Sequence, residues 1–75
     1  MNPEKDHERL LRNLRLIQKN VGIKNLCSLL DISLGTWYNR MKEPWEYFSY
    51  EDLRAIARFY KIDFVQIVDG ELNLK

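Results

Sequence analysis

Five polar side chains gather in the stretch "TWYNRMK", among them Tyr38, Asn39 and Lys42. An asparagine on an exposed helix face can make two hydrogen bonds to the N6 and N7 edge of adenine. A nearby lysine can meet a guanine or, more commonly, a backbone phosphate. A tyrosine offers either a hydroxyl to a phosphate or a ring to a thymine methyl group. This is the chemistry of recognition. Side chains that make and break bonds are scarce by comparison. Cys27 lies in the apolar run "NLCSLL", and the lone histidine, His7, has no nucleophile near it in sequence. Activated nucleophiles need such a partner. No Cys/His pair has the spacing of metal ligands, and the three glycines stand singly, so no loop cradles a phosphate. The sequence therefore predicts no catalytic set, no metal and no cofactor.

A recognition face needs a scaffold, and the rest of the chain supplies helices. The 75 residues with 45% hydrophobic content fit one globular domain. No apolar run approaches the roughly 18 residues that cross a bilayer. The first residues do not resemble a signal peptide, and a single cysteine forms no intramolecular disulfide, so a cytoplasmic location is expected. The net charge of only +1 hides an asymmetry. Residues 1–42 carry eight basic and four acidic side chains, and residues 43–75 carry four basic and seven acidic ones. One half suits a polyanion and the other does not.

About five helices are predicted within residues 1–75, giving an all-α bundle. Pro3 and Glu4 open a first helix in residues 1–22, where Leu10, Leu14, Ile17 and Val21 form one stripe and Gly22 stops it. Residues 23–42 read as two short helices joined at Asp31-Ile32-Ser33, with Glu43-Pro44 as the stop. Residues 43–49, "EPWEYFS", read as an aromatic loop. In residues 50–70, Ser49 and Asp52 resemble a capping box before Leu53, Ile56, Ala57 and Tyr60. Asp63 then caps "FVQIV". The tail, residues 71–75, reads as a short edge strand or a frayed end.

The run "LCSLLDIS" followed by "TWYNRMK", with "YEDLRAIARFYKID" and "FVQIVDG" downstream, resembles the Cro and lambda-repressor-like helix-turn-helix family of phage and small bacterial regulators. The resemblance spans roughly residues 12–70. It implies a DNA-binding transcriptional regulator whose third helix enters the major groove, acting as a homodimer on a palindromic operator. Two departures stand out. Asp31 occupies the turn position where the family usually has glycine, a left-handed backbone that aspartate tolerates better than most residues. Gly22-Ile23 replaces the polar pair that usually opens the second helix, leaving Lys24 as the nearest polar group. Ser33 is placed to cap the third helix.

At about 100° per residue, with Trp37 at zero, Met41 falls near +40° and Leu34 near +60°. Asn39, Gly35 and Lys42 then fall near 200°, 160° and 140° by the same geometry. Leu34 is thus expected to join Trp37 and Met41 in the core, its other reading being apolar contact with a thymine methyl group. The DNA-facing set expected is Lys24, Ser33, Leu34, Gly35, Thr36, Tyr38, Asn39 and Lys42. Arg40 is read as pairing with an acid on a neighbouring helix, and Arg12 and Arg15 as either phosphate contacts or solvated decoration. The partner or dimer surface is expected at Trp45, Tyr47, Phe64, Ile67, Leu72 and Leu74, with Phe48 instead lidding the core. The alternative function is a protein-interaction module, an antirepressor or adaptor, that keeps the fold without reading DNA. Neither reading involves a membrane or a small-molecule substrate.

Overall fold

The computed structural model describes residues 3–72, with side chains from Glu8 onward. Among the described residues there are six helices and no strand: α1 (Pro3–Val21), α2 (Ile23–Leu30), α3 (Leu34–Lys42), α4 (Pro44–Tyr47), α5 (Tyr50–Phe59) and α6 (Phe64–Val68). The expected five are present, and the sixth, α4, forms inside the segment read as a loop. Pro44 ends α3 and also begins α4, since its fixed φ suits a first helical position and its missing N–H would be orphaned there anyway. Pro44 is itself buried.

The stripe on α1 buries Leu10, Leu14 and Ile17 completely. It packs against α2, α4 and α6, while α5 packs against α2 and α6. Leu26, Trp37, Phe48, Leu53, Ile56 and Ile67 complete one continuous apolar cluster. Burying residues of this size contributes roughly 1.5–3 kcal/mol each, which is how a chain of this length holds together. Phe48 meets Trp37 edge-on at 5.2 Å between ring centroids and lids the core as expected.

One residue of the stripe is polar. Asn13 is fully buried at the i+3 position from Leu10. Its Nδ2 donates to the carbonyls of Gln66, Ile67 and Gly70 at 3.0, 2.9 and 2.8 Å. Its Oδ1 accepts from the Leu72 amide at 3.2 Å and from Arg12 at 3.1 Å. The last carbonyls of a short helix have no partner within it, and Asn13 supplies one for α6. Leu72 is consequently held in the core, 6% exposed. Residues 71 and 72 neither fray nor form a strand; Asn73, Leu74 and Lys75 lie outside the described residues.

Two of the interhelix connections are built alike. After α2, Asp31 takes the left-handed conformation (φ 57°) and Ile32 donates back to the Cys27 carbonyl at 3.0 Å. After α5, Lys61 does the same (φ 56°) and Ile62 donates to the Ala57 carbonyl at 2.8 Å. In each case the next residue, Ser33 or Asp63, caps the following helix. The six-to-one bond is a Schellman ending. The residue receiving it is small and buried, Cys27 or Ala57, and the isoleucine packs against the core. Aspartate tolerates the left-handed region better than most residues, but lysine has no such advantage. Lys61→Gly is therefore expected to raise stability by about 0.5–1 kcal/mol, seen as a higher urea midpoint at unchanged slope. A lower midpoint would refute the account of this turn.

Candidate nucleic-acid interface

The α3 helix is fixed at its start, its middle and its end. At the start, Ser33 Oγ accepts from the Thr36 amide at 3.1 Å. In the middle, Trp37 is fully buried and its Nε1 donates to Gln18 Oε1 of α1 at 2.9 Å. Near the end, Arg40 reaches Asp52 of α5 at 2.8 Å and lies over the Phe48 ring at 5.8 Å. Asp52 also accepts from the Ser49 amide, completing the capping box of α5. One carboxylate thus orders both the start of α5 and the last turn of α3. The expected Arg40 pairing is present.

The opposite face of α3 is open. Tyr38, Asn39 and Lys42 are exposed, and none makes a hydrogen bond or ion pair with the described residues. Gly35 is exposed, and a Cβ there would meet nothing closer than Ser33 Oγ at 3.9 Å, so its lack of a side chain is not forced by packing. Thr36, Asn39, Arg40 and Lys42 line an open groove of about 540 Å³ with Tyr47 of α4 on its far wall. Lys24 is exposed on α2.

Several expectations need correction. Leu34 does not join Trp37 and Met41; it is 44% exposed. It is the first residue of α3, and Ile32 packs against the core in its place. The Ser33 hydroxyl caps the helix, as its position predicts, and shares a hydrogen bond with the Thr36 hydroxyl at 3.0 Å; Ser33 stays exposed and Thr36 half-buried. Ile67 is fully buried and Leu72 nearly so, which removes both from any dimer surface. Phe64 is half-buried and meets Tyr50 edge-on at 5.1 Å. Trp45 and Tyr47 are exposed, at 46% and 52%. Leu74 and the side chain of His7 lie outside the described residues.

The basic half of the chain is partly neutralised internally. Arg9 pairs with Asp69 at 3.2 Å, Arg12 donates to the Leu72 carbonyl at 3.3 Å, and Arg40 is held by Asp52. Arg12 is thus committed to the C-terminal segment. Among the described residues, Arg15, Lys19, Lys24 and Lys42 are exposed and uncommitted. Burial pushes the Cys27 thiol above its ordinary range, which favours the unreactive neutral form. Among the described residues no cluster of His, Cys, Asp and Glu could hold a metal ion, and no helix is long and apolar enough to cross a membrane. No protein-family model, no curated protein and no solved structure matches this chain.

Proposed function

We propose that this chain binds double-stranded DNA as a small transcriptional regulator, with α2 and α3 acting as a helix-turn-helix of the Cro and lambda-repressor type. The observation that carries the reading is α3 itself. It is held by Ser33, Trp37 and Arg40, while Tyr38, Asn39 and Lys42 stand exposed and uncommitted on its other side. A major groove about 12 Å wide admits such a helix. The exposed Leu34 and Tyr38 suit thymine methyl groups, and Gly35 permits close backbone approach. Asn39 is the one side chain on this face that fits a bidentate base contact, and Lys42 fits a phosphate. The vocabulary is small, so specificity draws on DNA shape and on two copies acting together. The body measures 33 × 25 × 20 Å, compatible with two copies side by side on half-sites about 34 Å apart.

Selection from random oligonucleotides followed by binding titrations tests this. Asn39→Ala is expected to lose about 10- to 100-fold in discrimination between the selected site and a mismatched one, with the salt dependence unchanged. Lys42→Ala is expected to weaken binding to all sequences alike and to flatten the salt slope by about one. Affinity that stays constant between low and physiological salt would sink the reading, because phosphate contacts release counterions. The exposed apolar pair Leu34 and Tyr38, 44% and 58% exposed, favours a second reading in that event: a protein-interaction module on the same face.

A further inference from the structure

Apart from Tyr50, which meets Phe64 edge-on, the outer face of α5 is used neither by the fold nor by the proposed DNA contact. With Tyr50 at zero, Arg54, Arg58, Glu51, Ala55 and Phe59 fall at about 40°, 80°, 100°, 140° and 180°. The buried residues Leu53, Ile56 and Ala57 occupy the opposite arc. Along this outer face runs a groove of about 360 Å³, bordered by Tyr50, Glu51, Arg54, Ala55 and Arg58. Phe59 and Tyr50 are 66% and 59% exposed at its two edges. That is much aromatic surface for one helix to leave in water.

The charges on this face are arranged unusually. Arg54 and Arg58 lie one turn apart, a like-charge spacing that destabilises a helix slightly. Arg54 is occupied by its own Tyr50, donating to the hydroxyl at 2.7 Å. Asp52, the nearest acid on the inner side, is already taken by Arg40. Arg58 and Glu51 have no ion partner among the described residues, and they lie at nearly the same angle at opposite ends of the helix.

We propose that a second copy of this chain docks here, α5 against α5 in antiparallel order. A twofold axis midway along residues 51–58, between Arg54 and Ala55, sets Glu51 of each copy against Arg58 of the other, giving two symmetric ion pairs. Ala55 on one side of the axis lets the helices approach to about 8–10 Å, while Arg54 on the other side is turned to the Tyr50 hydroxyl of its own chain. Tyr50 and Phe59 close over the two sides of the strip and shield the pairs from water. The inference rests on the dimeric part of the reading above and assigns the surface through which it acts. One helix face lies at the low end of specific interfaces, so the dimer is weak, with a dissociation constant on the order of micromolar or above.

Sedimentation equilibrium on the full chain tests the assignment, with circular dichroism confirming that each variant is folded. Glu51→Arg alone and Arg58→Glu alone are each expected to weaken self-association by about tenfold or more, because like charges then meet across the axis. The double exchange restores association to within about threefold, and so does mixing the two single variants, since each then supplies what the other lacks. Glu51→Gln and Arg58→Gln serve in place of any reversal that does not fold, each weakening association by a smaller factor. A wild-type chain that stays monomeric up to roughly millimolar concentration, or single variants without rescue, overturns the proposal. Neither readout involves DNA, so oligonucleotide selection can fail while the rescue succeeds, and the reverse.

Discussion

Asn13→Leu is expected to cost about 3–5 kcal/mol and to leave the chain unfolded or nearly so at 37 °C. Leucine has the same branching as asparagine and is larger, so a cavity is not the cause. The loss comes from polar groups that lose their partner. The carbonyls of Gln66, Ile67 and Gly70 and the amide of Leu72 all bond to this one side chain. Each buried polar group stranded without a partner costs about 1–3 kcal/mol, reduced wherever local opening admits water. A domain of this size has a total stability of about 4–11 kcal/mol, so most of it is at stake. Asn13→Asp is the sharper control. It keeps the shape and the acceptor but replaces the donor, so that three carbonyls face a carboxylate. At neutral pH it should destabilise comparably. Urea unfolding followed by circular dichroism decides both. A loss below about 1 kcal/mol in either variant would show that α6 and the segment after it do not depend on this amide.

Trp37→Ala should cost a similar amount, about 3–5 kcal/mol, by a different route. Here the loss is apolar contact. The indole is fully buried, stacks edge-on with Phe48 and is the one buried side chain of α3, which packs against α2 and α4. Its N–H bond to Gln18 ties α3 to α1 directly. Trp37→Phe separates the two contributions. It retains much of the ring and leaves Gln18 without its donor, so about 1–2 kcal/mol is expected. In the alanine variant the remaining ties of α3 are the Ser33 cap and the Arg40–Asp52 pair, at either end. Any binding by Tyr38, Asn39 and Lys42 should then fall further than global stability alone explains, because the helix that presents them has lost its middle anchor. Binding measured under conditions where the variant is still folded checks this. Wild-type affinity in folded Trp37→Ala would separate the candidate interface from its anchor.

What was readable in the sequence was local. The caps at Ser33, Ser49 and Asp63 depend on residues two or three positions apart, and all three form. The left-handed turn at Asp31 was legible for the same reason. Arg40 was expected to find an acid because its angle on the helix pointed away from the open face. Asn13 was not legible. Its partners lie 53 to 59 residues away, and an asparagine beside a leucine stripe looks like any solvated position. Leu34 misled for a geometric reason: a helical projection assigns faces and ignores ends, and the first residue of α3 has an end environment. Ile67 and Leu72 misled because apolar content marks burial without saying whether the cover comes from the same chain or a second copy. Pro44 was read only as a stop for α3, although the same ring also suits a start.

The paired turns at Asp31 and Lys61 bear on how such a chain can change over generations. Each keeps a side chain in a backbone region where glycine would sit more easily, so neither turn is at its stability optimum. A small domain lives close to the threshold below which it is lost. Two unrelieved turns mean that one substitution, far from α3, can restore roughly what a new residue on α3 takes away. The open face of α3 can therefore be rewritten for another target, even at some cost to folding, with the remedy available elsewhere in the same chain.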